Sequence, residues 1–346
     1  AAGGGSTDCA AFRYVLEAPF TCAPAWGAAE ARGDWLQRAH GPNAVAQFFL
    51  ERVREGKFKD PKYRAVFRGP AEVGPTSKPP QISRGGVALW ARKWRRSTVN
   101  QYVISVDEKD LAAPRNKRGA GYMGKLKSIN GERVYCLYDK GEKYNGTRKE
   151  IAAVVYTHER AASDTIFEPK MEVAVPTVGE LSPGGGVWGM SKGAAPKREE
   201  DTLRSLFSSA RCHGSENFLA ADTLTALREM PPNASQPPGD DSPAAARALL
   251  EAPKDLTESV KNFRLQLSLP SSHQYRGLAK AAAGGNARSD AAQAVPLLTM
   301  AKIRSSGGGW GGSGTVDRFL VTYTQPFSAL QAFGIALSRF DTKQVA

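Results

Sequence analysis

Pro326-Phe-Ser-Ala-Leu-Gln-Ala-Phe-Gly-Ile-Ala-Leu-Ser-Arg-Phe340 decides the reading of this chain. At ~100° per residue, Phe327, Ala329, Leu330, Ala332, Phe333, Ile335, Ala336, Leu337 and Phe340 cover nearly the whole circumference of a helix and leave no polar stripe for water. Such a helix must be surrounded. Pro326 suits the first helical position, where its missing N–H would have no partner anyway. About 15 residues at ~1.5 Å each give roughly 22 Å, short of the ~20 apolar residues that a membrane span needs. Burial contributes up to ~1.5 to 3 kcal/mol per side chain, so most of the domain is expected to be built around this rod.

With 346 residues the chain can form one large domain or two medium ones. Its 35 Gly and 22 Pro make turns frequent and a helical bundle a poor fit. The formal charge of +13 asks for an acidic partner, whether nucleic acid, anionic membrane or acidic protein, without choosing among them. Cys9, Cys22, Cys136 and Cys212 show neither CxxC spacing nor a zinc-finger arrangement with histidine. A reduced cytosolic or nuclear setting follows, with no metal or cofactor, and Cys212-His213 reads as surface. No basic segment leading into an apolar run opens the chain, and no run of 18 apolar residues occurs. The expectation is a soluble protein with at most peripheral membrane contact, in which the sequons at Asn145 and Asn233 stay idle. The missing initiator methionine leaves room for the chain being a fragment.

Outward from the rod, short apolar runs end at Gly, Pro or polar clusters, as strands do. They are Val45 to Arg54, Tyr63 to Arg68, Val87 to Ala91 with its basic end Arg92-Lys-Trp-Arg-Arg-Ser97, Tyr102 to Val106, Tyr122 to Lys127 and Arg133 to Tyr138. Glu150 to Tyr156, Met171 to Val175, Ser259 to Leu267, Val295 to Ile303 and Phe319 to Tyr323 continue the series. Little helix lies between them, which argues a mainly β, closed antiparallel barrel of about twelve strands, with the hydrophobic C-terminal helix through its centre. Residues 1–40 read as a tail, with a short helix around Ala25 to Arg38 if ordered, and 41–346 as the barrel domain. Inserts fall near 176–253, where an amphipathic helix is expected from Asp201 to Ser209, and near 271–293.

Five stretches carry a resemblance to a known family: Leu89-Trp-Ala-Arg-Lys-Trp-Arg-Arg-Ser97, Tyr102-Val-Ile-Ser105 with Asp110-Leu111, Gly124-Lys-Leu-Lys-Ser128, Ser259-Val-Lys-Asn-Phe263, and Ala329 to Ser338 with Phe340-Asp341 and Lys343. In these the chain resembles the tubby family, in its carboxy-terminal tubby domain, over roughly Val45 to Lys343. The resemblance implies a twelve-stranded closed barrel filled by a hydrophobic helix. It also implies a non-enzymatic domain that binds phosphoinositides, chiefly phosphatidylinositol 4,5-bisphosphate, at the inner face of the plasma membrane. Residues 1–40 resemble neither the ciliary-transport region of animal relatives nor the F-box of plant relatives.

Between Arg92 and Lys149 stand 15 Lys and Arg against 6 Asp and Glu, most of the molecule's excess charge in one sixth of its length. The family's headgroup positions fall on Lys125 and Lys127, on Gln101, and on Arg148. Lys125 and Lys127 flank Leu126, so both ammonium groups leave one face of a strand while Leu126 points to the core. Arg148 offers a forked contact that lysine cannot make. Lys127 stands where the family has Arg, keeping the charge but losing bidentate geometry, and Gln101 where it has Asn; both changes bear on the preference for one phosphoinositide isomer. Arg92, Lys93, Arg95 and Arg96 are expected to face the membrane and add non-specific attraction. Trp90 is read as core and Trp94 as cover for the barrel.

Gly119-Ala-Gly-Tyr-Met-Gly-Lys125 imitates most of a P-loop, but Leu126 stands where the magnesium-binding Ser or Thr is needed and no apolar strand precedes it. No HExxH or GxSxG occurs, and the four histidines are scattered. The expectation is therefore a non-catalytic, monomeric, membrane-tethering adaptor with phosphoinositide and protein-cargo partners, cytoplasmic at the plasma membrane and able to move to cilium or nucleus. Two readings stand beside it: a nucleic-acid-binding regulator using the same basic face with its interleaved aromatics, and a ciliary scaffold.

Overall fold

A computed structural model describes residues 36–37, 45–54, 60–67, 87–96, 99–113, 119–129, 133–141, 148–160, 167–176, 202–205, 224–230, 256–267, 296–304, 315–324 and 326–341. Strands β1 (Val45–Arg54), β2 (Lys62–Phe67), β3 (Val87–Arg96), β4 (Val99–Ser105), β5 (Tyr122–Ile129), β6 (Val134–Asp139) and β7 (Glu150–Arg160) pair in chain order. The ring continues through β8 (Phe167–Pro176) and β9 (Leu224–Glu229), and two-residue β10 (Leu256–Thr257) lies beside β12 at the end of β11. β11 (Phe263–Leu267), β12 (Leu298–Ile303) and β13 (Thr315–Thr324) complete it. β13 pairs antiparallel with β12 and, over ten residues, with β1. The sheet thus closes on itself as an antiparallel barrel of twelve strands, with β10 as a side branch.

Two of these strands were not expected. β9 lies inside the presumed insert, yet without it β8 and β11 have no partner to join them. β10 and β11 run along the same edge of β12, interrupted by residues 258–262. Asn262 spans the gap: its side-chain amide donates to the Thr257 carbonyl and accepts from the Lys302 N–H, replacing the missing ladder bonds. Leu36, in the 25–38 segment expected to dock if ordered, is fully buried in the core.

Helix α1 (Ala329–Ser338) occupies the bore, every one of its residues buried. It begins three residues later than Pro326 would set it. Ser328 is the N-cap, accepting from the Gln331 N–H, while the Gln331 side chain accepts from the Ser328 N–H. This capping box is written in the sequence as Ser-x-x-Gln. Pro326 belongs to the turn that leads in. Phe48, Leu50, Leu126, Leu137, Val321 and Tyr323 reach the helix from the strands, Phe48 meeting Phe333 edge-on with ring centroids 6.1 Å apart.

Polar groups on the helix each find a partner in the wall. Gln331 donates to the Ile151 carbonyl at 2.7 Å, a residue that the β6–β7 register skips as it shifts between Leu137 and Tyr138. The bulge exposes a carbonyl to the bore, and the helix takes it. Ser338 and Tyr156 share a hydrogen bond of 2.8 Å. Past the helix end, Arg339 pairs with Glu229 of β9 at 3.1 Å, and Asp341 takes both the Lys93 ammonium and the Tyr102 hydroxyl. These cations lie where the helix dipole places negative charge. Lys261, in the β10–β11 interruption, lies in the same field: burial foremost, then the positive Arg339 and Arg52, push its ammonium down to about 8 despite Asp341.

Gly334 lies so close to β6 that a Cβ there would sit 2.7 Å from Leu137 Cδ2, and Leu137 is fully buried. Gly334→Val is therefore expected to cost roughly 1–3 kcal/mol by overpacking, read as a lower urea midpoint with unchanged slope. An unshifted midpoint would show that the helix has slack. Lys261 titrates near 8 folded against an ordinary 10.5, so between those values the unfolded chain holds the extra proton and stability rises with pH. Lys261→Met should be the more stable protein below that window, with the advantage fading as pH rises through it. A difference constant with pH, in paired denaturation curves, would contradict the assignment.

Candidate functional site

The wall outside β3 to β7 is assembled by strand alternation. Leu126 and Leu137 point into the bore, so Lys125 and Lys127 of β5 and Cys136 and Tyr138 of β6 point out. Register then sets two rows. Trp94, Gln101, Lys127, Cys136 and Ala153 lie side by side on β3 to β7. Arg92, Val103, Lys125, Tyr138 and Glu150 form the next row.

All four headgroup positions read from the sequence meet on this wall. The Lys125 ammonium lies 5.9 Å from the centre of the Tyr138 ring, and the Arg148 guanidinium lies 4.5 Å from the same centre. One tyrosine thus gathers two cations, one from β5 and one from the β6–β7 connection, a contact worth ~0.5–2 kcal/mol each depending on desolvation. Lys127 is partly exposed in the adjoining row with Gln101 as its cross-strand neighbour. Lys125 is only 9 % exposed, so its position is set by packing before any ligand arrives.

Two local features hold this geometry. At Gly124, φ is +156° and a Cβ would fall 2.1 Å from the Tyr138 carbonyl oxygen, so the close approach of β5 to β6 beside Lys125 requires glycine. At the base of the β6–β7 connection, Asp139 Oδ1 accepts from the Lys149 N–H at 2.8 Å and the Gly141 N–H at 3.0 Å. That clasp fixes the backbone beside Arg148. Burial raises the Asp139 carboxyl above its usual range, while the two N–H donors and the charges of Lys149 and Arg148 pull it back.

Beneath the cations lies Glu150, buried, its Oε2 accepting from the Leu203 N–H at 2.8 Å. Burial raises its carboxyl, opposed by that bond, by the Tyr138 side chain and by the charges of Arg204 and Arg148. Tyr138, Asp139, Glu150 and Arg204 are not picked out by the sequence reading. The Tyr-Asp pair at the end of an apolar strand was their one visible signal.

The basic residues of β3 do not behave as one face. Arg92 lies on the outer wall in the Lys125 row. Lys93 does not: it sits opposite Tyr102 on the bore side, and its ammonium is buried against Asp341. The expectation that it faces a membrane is overturned by the period-two alternation of the strand itself. The side chains of Arg95 and Arg96 lie outside the described residues. Trp90 is also on the outside, with the Arg64 guanidinium 5.9 Å from its ring, so it is not core as expected. Trp94 does cover the barrel, its indole N–H buried beside Gln101 without a hydrogen-bond partner among the described residues. Of the amphipathic helix expected over Asp201 to Ser209, Leu203 to Ser205 are helical, Thr202 is a bend before them, and the remainder lies outside the described residues.

A closed antiparallel barrel with an apolar helix through its bore and cations gathered on its outer wall defines a helix-filled barrel class. The chain belongs to the Tub family, whose model matches residues 37–227. It is similar to Tubby-like F-box protein 5 of Arabidopsis thaliana, 26% identical over 298 residues, and to Tubby-like F-box protein 12 of Oryza sativa subsp. japonica, 27% identical over 302 residues. These matches take in 76% and 75% of this chain and 64% of each relative, so the chain spans less than two thirds of their length.

Glu150→Gln keeps the acceptor for the Leu203 N–H and removes the buried charge. Because burial raises this carboxyl in the fold, the native state holds its proton to higher pH than the unfolded chain, and stability is lost as pH rises through that interval. The variant should therefore lose less stability than the parent between mildly acidic and neutral pH in paired urea titrations. Parallel curves would mean that the neighbouring arginines fully offset the burial.

Proposed function

We propose that this protein is a non-enzymatic phosphoinositide-binding adaptor that tethers itself, and a protein cargo, to the inner face of the plasma membrane. The observation that carries this reading is the convergence of Lys125 and Arg148 on the Tyr138 ring, with Lys127 and Gln101 in the adjoining row. Lys125 and Lys127, same-face neighbours on one strand and so roughly 6.6 Å apart along it, can straddle adjacent phosphates on one inositol ring, with Arg148 brought over the same tyrosine from the β6–β7 connection. Arg148 supplies a bidentate fork, Lys125 and Lys127 supply point charges, and Gln101 supplies an amide for a ring hydroxyl or phosphate oxygen. Lysine in place of arginine at 127 weakens geometric selection among isomers, so charge sets affinity more than shape does. The ligand assigned is phosphatidylinositol 4,5-bisphosphate. Arg92, with Arg96 of the same strand parity further along β3, adds non-specific attraction to the anionic leaflet of ~1 kcal/mol per basic residue near the surface, while Arg95 shares the parity of Lys93 and drops out with it. Lys93, already neutralised by Asp341, is left out of that set. Hydrolysis of the lipid would release the protein toward cytosol, cilium or nucleus.

Lys125→Ala combined with Lys127→Ala is expected to abolish pelleting with liposomes that contain phosphatidylinositol 4,5-bisphosphate. On liposomes carrying phosphatidylserine alone the same pair should cost far less. Equal losses on both would reduce the cradle to part of a generic basic surface. Tighter binding to duplex nucleic acid than to either liposome, with a steep salt slope, would favour the nucleic-acid reading instead.

A further inference from the structure

We propose that Arg204, which lies between β8 and β9, is a further headgroup-binding residue of the same cradle, so that residues 202–205 supply one side of the anion site. The inference rests on the headgroup reading above and assigns to that site a residue outside the β5–β7 wall.

Three observations bring Arg204 there. Leu203 is buried on the outer wall against Cys136, Ala153 and Ala174, small side chains on three consecutive strands that form a shallow seat. Cys136 and Ala153 belong to the same row as Lys127 and Gln101, so the seat adjoins the cradle. Second, the backbone around Arg204 is fixed at both ends. The Leu203 N–H is held by Glu150, and the Thr202 hydroxyl accepts from the Ser205 N–H at 3.2 Å and donates to the Ser205 hydroxyl at 2.9 Å. Third, the charge of Arg204 acts on Glu150 together with Arg148, and on Cys136 together with Lys127. Arg204 therefore shares one neighbour with each of two cradle cations, Lys127 of β5 and Arg148 of the β6–β7 connection.

The charge balance favours recruitment. Each monoester phosphate carries about −1.5 to −2 near neutrality, so a bisphosphorylated ring brings about −3 to −4. Lys125, Lys127 and Arg148 over a buried Glu150 leave a net of two positive charges, and Arg204 raises it to three. It also supplies a second planar fork on a wall that has lysine at 127. The ligand chemistry is an inositol ring with two or more monoester phosphates, available either as a lipid headgroup or as a free inositol polyphosphate.

Arg204→Gln and Arg204→Lys would be titrated beside the Lys125→Ala, Lys127→Ala protein against phosphatidylcholine liposomes with phosphatidylinositol 4,5-bisphosphate, liposomes with phosphatidylserine only, and soluble inositol 1,4,5-trisphosphate. Arg204→Gln should weaken binding to the first and third by about tenfold, the loss of one charge-assisted contact, with Arg204→Lys recovering part of it and phosphatidylserine binding little changed. Loss on the liposomes with the soluble headgroup bound as before would place Arg204 against the bilayer and overturn the inference, as would equal loss on phosphatidylserine. If Arg204→Gln binds normally while the lysine pair fails, Arg204 is excluded and the cradle stands. If the lysine pair binds normally, the cradle itself is refuted, and this inference with it.

Discussion

A helix that is apolar on every side must be enclosed, and the rest of the fold answers that requirement. Hydrophobic burial drives Phe327, Leu330, Phe333, Ile335 and Leu337 into the bore, but it is non-directional and would accept the rod at many depths and rotations. Polar contacts remove that freedom. Gln331 must reach the Ile151 carbonyl, Ser338 must reach Tyr156, Arg339 must reach Glu229, and Asp341 must reach Lys93 and Tyr102. A slip of the helix by one turn would strand several of these groups at once, at ~1–3 kcal/mol for each buried group left unsatisfied and more for a charge. Greasy surface inserts the helix, and a handful of hydrogen bonds sets its register.

The same irregularity in the wall serves both faces. Where the β6–β7 register shifts between Leu137 and Tyr138, Ile151 is skipped and offers its carbonyl inward to Gln331, while outside Tyr138 comes opposite Glu150. The helix seat and the cation cradle therefore share one bulge. Gly124, close against the Tyr138 carbonyl, extends this coupling to the strand that carries Lys125. Distortion at the helix N-terminal half has a short path to the outer site, through the Gln331 amide and then the paired backbone of β6 and β7.

Most of the architecture was legible because strands and rod obey simple periods. Alternation in Val45 to Arg54 and in Tyr122 to Lys127 predicts both the strands and the outward lysines. β9 was not legible: Leu-Thr-Ala-Leu-Arg-Glu is made largely of helix formers, sits among prolines and owes its extended form to β8 and β11 on either side. Tertiary pairing overrode local propensity there. The Ser328 cap was legible and was obscured by Pro326, whose preference for the first helical turn is real but weaker than a capping box satisfied from both ends. The convergence at Tyr138 depends on a register shift, which no run of residue types discloses. Arg204 and Leu203 lie in a stretch where the sequence shows a helix but not the strands it leans on.

Lys93 shows why a basic run should not be read as a basic face. Arg92 and Lys93 are adjacent in sequence, yet the pleat sends one to the outer wall and the other to the bore, where Asp341 neutralises it as part of the helix lock. Along the same stretch Asp139 clasps its own connection, and just past its end Glu150 lies buried under the cradle. The local charge excess counted along the sequence is thus divided between an internal ion pair, structural carboxylates and a smaller set of outward cations. Recognition by a few placed charges differs physically from adhesion by a charged film. Diffuse surface charge is screened within ~8 Å at physiological salt, whereas partly buried cations such as Lys125, held before the ligand arrives, are screened much less. The barrel converts an undirected surplus of lysine and arginine into a site whose strength depends on where the strands place them more than on how many there are.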